Sequence, residues 1–200
     1  MNAGRLLVKG GAAVVGTALL AAAMWLYDRK PKVEETLLDP IRSTGRIGQV
    51  VATPRFRVQV HRVEAARSLR ASSVAPTAAP VRTDGVYLVV RVRGTSVREP
   101  LALRWVRLET PGGYVYRDGP RRTAAQDFPP TFQPMIWDTV VYVFELPPRR
   151  LAGARLVLGE GGLLPQLSAA AEIDLGLTRA RADELVRRAV DGYDLRAAAR

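Results

Sequence analysis

A hydrolytic or metal-binding site in this 200-residue chain would have to be built from one histidine, no cysteine and nineteen carboxylates. His61 stands on the polar side of an alternating stretch, close to Gln59 and Arg62. A triad needs a nucleophile beside such a base, and a zinc site needs further His or Cys ligands. His61 therefore reads as a solvent-facing strand residue. The carboxylate pairs Glu34-Glu35 and Asp183-Glu184 read as solvated charge. Asp118, Asp127 and Asp138 carry the oxygen ligands a hard cation prefers, but not the loop spacing of a calcium site. No phosphate-binding glycine loop is present. The expectation is a non-enzymatic chain with no catalytic residues, cofactor or metal.

Two stretches point to binding instead. The first is RDGPRRTAAQDFPPTFQPMIW, where Arg121, Arg122, Phe128, Phe132 and Trp137 set basic and aromatic groups in one irregular segment, and loops on a rigid scaffold often carry recognition. The plainer alternative is that Phe128 and Phe132 staple a long crossover onto the core. The second is a C-terminal stripe of Leu185, Val186, Ala189, Val190 and Tyr193 at helical spacing. It must be covered either by its own domain or by a partner subunit.

The elements that place these residues begin with a membrane anchor. Residues 10–27 form an eighteen-residue run without a charge, close to the ~20 residues a bilayer-spanning helix requires. Ala21-Ala22-Ala23 offers a signal-peptidase site, but the apolar run continues through Met24, Trp25, Leu26 and Tyr27, longer than an ordinary signal core. An uncleaved single-pass anchor is expected, with residues 1–9 as a short tail. Arg5 and Lys9 on one side nearly balance Arg29, Lys30 and Lys32 on the other, so charge alone does not orient it.

The net charge of +11 raises a nucleic-acid partner as an alternative. Twenty-seven of the thirty basic residues are arginine and only three are lysine. In an Ala-, Gly-, Pro- and Val-rich chain that ratio matches GC-rich coding, and the arginines are scattered singly along presumed strands. A dedicated nucleic-acid surface is therefore disfavoured. Envelope polymers or anionic headgroups remain natural neighbours of a tethered basic domain.

After a juxtamembrane linker over 28–46, short strands follow. Residues 47–52 make a first one, and residues 55–63 alternate with period two. A loop over 71–85 leads to GVYLVVRVRG. Residues 101–108 and 114–116 form a hairpin across Pro111-Gly112-Gly113, and IWDTVVYVFEL is apolar on both faces, as a central strand would be. Residues 155–158 and 169–177 supply the last two strands. Thr178 caps a helix that Gly192 ends. The spacing predicts an all-β, antiparallel β-sandwich over 47–177, with a helical tail over 178–200.

The order of anchor, linker, GVYLVVRV, Tyr-bearing hairpin, VFELPPRRLAGARLVL and AEIDLGL resembles a family of actinobacterial membrane-anchored envelope proteins. Their immunoglobulin-like ectodomain has no known function and is similar in fold to a small secreted mycobacterial immunogenic protein. The resemblance covers roughly residues 47–177. It implies an immunoglobulin-like fold, an extracytoplasmic domain behind a cytoplasmic N-terminus, and a membrane or envelope protein as partner. It implies no catalytic residue. The chain lacks the lipobox cysteine of lipid-anchored relatives, and its helical tail lies beyond the matching region. The function expected is a membrane-anchored binding or scaffolding module; the alternative is a cytoplasm-facing, membrane-tethered nucleic-acid binder.

Overall fold

The computed structural model describes residues 18–22, 24–25, 40–70, 80–119, 131–161 and 168–195. The chain divides into two compact units, Met1–Leu38 and Asp39–Arg200. In the first, residues 18–22 and 24–25 are helical and exposed. Most of the expected anchor lies outside the described residues, and among those described no helix is long and apolar enough to cross a membrane.

The second unit is a β-sandwich. Its strands are β1 (Ile41–Arg46), β2 (Val50–Ala52), β3 (Phe56–Arg70), β4 (Val81–Ser96), β5 (Leu101–Ala102), β6 (Trp105–Thr110), β7 (Tyr114–Arg117), β8 (Thr131–Phe132), β9 (Asp138–Leu146), β10 (Arg155–Gly159), β11 (Ala169–Asp174) and β12 (Tyr193–Asp194). The first sheet has the order β1-β11-β10-β6-β7. The second has β12-β3-β4-β9, with β2 also on β3, and β5 and β8 make a small separate pair.

Alternation along each strand builds the core. Val58, Val60, Leu88, Val90, Val92, Tyr142 and Phe144 face inward from the second sheet, against Leu108, Leu156, Leu158, Ala171 and Ile173 from the first. Each fully buried aliphatic or aromatic side chain here contributes about 1.5–3 kcal/mol relative to exposure. These Val-, Ile- and Phe-rich stretches suit a pleated, close-packed surface better than a helix.

Two irregularities shape the long β3–β4 ladder. Val60 pairs with Val92 and Arg62 with Arg91, so His61 is an extra residue. This bulge leaves His61 and Arg62 both exposed. Farther along, Ala66 pairs with Tyr87 and Ser68 with Arg82, leaving residues 83–86 of β4 opposite Arg67 alone. The far edge of β9 is also occupied: Val143 N–H donates to Asp118 Oδ1 at 2.7 Å, and Gly119 N–H donates to the Val143 carbonyl at 3.1 Å. Pairing of this kind blunts an edge that would otherwise invite another strand.

The sandwich and the C-terminal helix match expectation, while several boundaries do not. Residues 41–46, assigned to the linker, are β1: IRSTGR has little apolar content because an edge strand holds on through its backbone. Strand β2 is confined to Val50–Ala52, since Gly48 turns the chain at φ 85°. β4 starts at Val81, inside the expected loop. The sheets are not wholly antiparallel, because β1 runs parallel to β11 and β12 parallel to β3. The helix, Arg179–Arg187, is capped by Thr178 Oγ1 accepting from Arg181 N–H at 3.3 Å. It stops at Arg188, and Gly192 turns the chain into β12 with φ 68°.

Gly94 leaves room for the Phe132 ring of β8 against this sheet. A Cβ there would lie 2.6 Å from two ring atoms of the buried Phe132. Gly94→Ala should cost about 1–3 kcal/mol through overpacking, read as a lower urea midpoint. Adding Phe132→Leu should recover part of the loss; an unshifted midpoint for the single variant would show that the ring yields freely.

Candidate functional site

The two outer sheet faces differ in how their charges are used. On the first sheet, Arg42 contacts Glu109 and Glu172, each at 3.0 Å, Arg155 contacts Glu172 at 3.0 Å, and Arg107 lies 2.6 Å from Glu109. Arg42 is partly desolvated, yet its two carboxylate partners raise its pKa further above the ordinary arginine value. The glutamates of this face are spent on its own arginines, while Arg46 and Arg117 at its rim stay exposed.

The second sheet's outer face has two zones. At the β3 C-terminal end, Ala66, Leu69, Tyr87, Val89, Val141 and Val143 form a second buried cluster, with Tyr193 and Leu195 packed against it. The segment after the helix supplies this cover: Val190 N–H donates to the Ala65 carbonyl and Arg67 N–H to the Val190 carbonyl. Gly192 N–H then donates to Ser68 Oγ, and β12 continues the ladder. A charged network bounds the zone. Tyr193 donates to Glu64 Oε2 at 2.6 Å and accepts from Arg91 Nη2 at 3.3 Å, while Arg62 meets Glu64 Oε1 at 2.9 Å. Burial and the Glu64 hydrogen bond both raise the Tyr193 phenol above its ordinary pKa.

Beyond that network the face is open and basic. Arg57, His61, Arg62 and Arg93 are exposed along it, and among the described residues Arg57 and Arg93 make no ion pair. Partial desolvation, then the charges of Arg91, Arg93 and Arg62, lower the His61 pKa and favour its neutral form. The Arg93 guanidinium lies 5.7 Å from the centroid of the Trp137 ring, within cation–π range. Trp137 ends a turn whose other members are Met135, 89 % exposed, and Ile136, 56 % exposed. Met135 has φ 64°, a conformation that costs a bulky residue strain and is found where a structure over-determines it. Here the turn is held at its start by Ser96 N–H and Thr95 Oγ1, both donating to the Gln133 carbonyl, and at its end by β9.

Other clusters offer less chemistry. Among the described residues no three His, Asp or Glu side chains group as metal ligands. The Tyr142 hydroxyl is buried with no hydrogen-bond partner among them. Burial first, and then the charge of Asp118, raise its pKa. Asp118 is exposed as a residue, yet the protein mass around its carboxyl pushes it up to about 6, against the backbone donors of Val143 and Gly119. A cleft of about 260 Å³ at the β4 excursion is lined by Arg67, Arg82, Thr83 and the apolar Val86, Val186 and Ala189.

The structure redistributes the residues singled out in the sequence. Arg121, Arg122 and Phe128 lie outside the described residues. Phe132 is wholly buried beneath Gly94 and offers no binding surface, which answers the alternative of a staple in favour of the core. Trp137 is exposed on the basic face. Ala189 is buried, and Leu185 and Val186 pack on the main core, so these members of the helical stripe face their own domain. Tyr193 covers the second cluster, and Val190 stays exposed while its backbone joins β3. Arg57, Arg93 and Met135 were missed. Their signals were the wet-face alternation of β3 and β4 and the apolar Met-Ile-Trp sequence after a proline.

No protein-family model and no curated protein matches the chain. Among solved structures, an uncharacterized β-sandwich protein of Clostridium difficile 630 is 12 % identical, with 67 % of this chain and 95 % of that one covered and a TM-score of 0.43. The yjhA protein of Bacillus subtilis is 13 % identical, with 65 % and 99 % covered and a TM-score of 0.48. A conserved hypothetical protein of Bacillus anthracis is 18 % identical, with 56 % and 87 % covered and a TM-score of 0.40.

Two measurements check this account. Tyr193→Phe removes a hydrogen bond to a carboxylate and should cost about 1–2 kcal/mol, below the upper range for charged partners because the site is partly wet; equal denaturation midpoints would contradict it. For Asp118, the folded state holds its proton at higher pH than the unfolded chain does. Stability should therefore fall as pH rises from 3.8 to about 6 and then level off. Asp118→Asn should flatten that slope while keeping the Val143 hydrogen bond, and a carboxyl titrating near 4 by NMR would refute it.

Proposed function

We propose that this chain is a single-pass membrane-anchored, extracytoplasmic binding or scaffolding module of the cell envelope, its β-sandwich an immunoglobulin-like domain. It acts by surface complementarity, without turnover. The observation that carries this reading is the open outer face of the second sheet. Among the described residues Arg57 and Arg93 make no ion pair there, and Trp137 is held beside Arg93. The first face spends its glutamates on its own arginines, whereas the second leaves Arg57 and Arg93 exposed beside a tryptophan, which suits a surface kept for a partner. The uncharged run at residues 10–27 supports attachment to a membrane. The helical tail serves the domain itself, since its stripe packs on the sandwich.

Sidedness is tested by protease shaving of intact cells carrying a C-terminal tag. Loss of the tag from unbroken cells is expected. A tag protected until lysis would instead place the domain in the cytoplasm, where its basic face would favour nucleic acid, with retention falling steeply as salt rises.

A further inference from the structure

We infer that the Met135–Ile136–Trp137 turn and the arginines beside it dock on the surface of an anionic lipid bilayer. This rests on the reading of the second sheet's outer face as a binding surface, and it names the partner. The turn presents two strongly exposed apolar side chains and one half-exposed indole in succession. Apolar tips and tryptophan suit the boundary between headgroups and acyl chains, where an apolar body can be buried while the indole N–H stays wet.

Beside the turn, Pro134 bridges Ser96 at the end of β4, and Arg57 pairs across β4 with Thr95. Arg93 thus lies against the tip at Trp137, and Arg57 follows one strand farther on the same face. Nearby carboxylates include Asp138, opposite Gly94, Glu99, which Arg55 engages, and, farther along the sheet, Glu64, which Arg62, Arg91 and Tyr193 engage. Cationic charge beside an apolar tip complements an anionic leaflet: the arginines meet headgroup phosphates while Met135 and Ile136 enter below them. A phosphodiester backbone would use the arginines and leave the tip in water. The turn is also preorganised. Its start is bonded to β4, its end enters β9, and Met135 is kept in its strained conformation, so little ordering remains to be done on contact.

The chain has no cysteine, so Ile136→Cys provides a unique site for a polarity-sensitive fluorophore on the full-length protein. The probes are vesicles of phosphatidylcholine alone and of phosphatidylcholine mixed with phosphatidylglycerol. A blue shift confined to the mixed vesicles and reversed by salt is expected. Neutralising the pair, Arg57→Gln with Arg93→Gln, should weaken the response roughly 25-fold, about five-fold per arginine. The control pair Arg149→Gln with Arg179→Gln has the same net charge and should leave it nearly unchanged. The inference is overturned if the label stays aqueous in both mixtures, if the control pair loses as much, or if duplex DNA shifts the label and mixed vesicles do not. Sedimentation with both vesicle types while the label stays aqueous defeats the docking and leaves the anchor standing. A blue shift without retention on phosphatidylcholine defeats the anchor and leaves the docking.

Discussion

The β3–β4 ladder is the constraint on which the rest of the domain depends. These two strands, of fifteen and sixteen residues, are longer than the usual five or six, and a paired ribbon of that length must twist and bend. It does so at two places where the register shifts. The first shift exposes His61 and Arg62 together. The second pushes four residues of β4 out of register, and Val186 and Ala189 line the cleft that results. The basic surface and the seat of the C-terminal segment are both products of one ladder absorbing its own curvature.

That geometry also accounts for the contrast between the two outer faces. Across the first sheet, arginines and glutamates fall on neighbouring strands within reach of each other, and each partly desolvated charge has a partner. On the second, Glu64 is shared by Arg62, Arg91 and Tyr193. Arg57 and Arg93 stay exposed and make no ion pair among the described residues, and their contribution to stability is small.

The features legible in the sequence were those written in side-chain periodicity or cap chemistry. Alternation over 55–63, the Pro111-Gly112-Gly113 hairpin and the Thr178 cap lie where the residues placed them. The doubly apolar run before Pro147 is a strand, but it ends its sheet instead of lying at the centre, and its outer face is apolar because Val141 and Val143 join the second buried cluster. What escaped was held by backbone pairing over long separations. IRSTGR looks like a linker until Ala169–Asp174 comes beside it. Tyr193–Asp194 becomes a strand only because Leu69 and Arg70 offer an edge. The candidate surface was half visible. Trp137 stood out by type, whereas Arg57 and Arg93 were two among twenty-seven arginines until the fold showed which of them lie exposed beside it. Phe132 misled because an aromatic in a proline-rich segment reads the same whether it is a ligand contact or a plug over Gly94.

The parallel pairing of β1 with β11 has a mechanical consequence. β1 is the first strand of the sandwich, and six consecutive residues, Ile41–Arg46, are in register with Ala169–Asp174. Tension arriving through the preceding chain enters the domain at Ile41. A pull along the strand loads those hydrogen bonds together in shear, and the Arg42 bridges to Glu109 and Glu172 share it. A pull across the strand peels them one at a time. The domain is thus stiff to traction in one direction and compliant in the other, and its resistance to force is set by how the polypeptide leading into β1 is aimed.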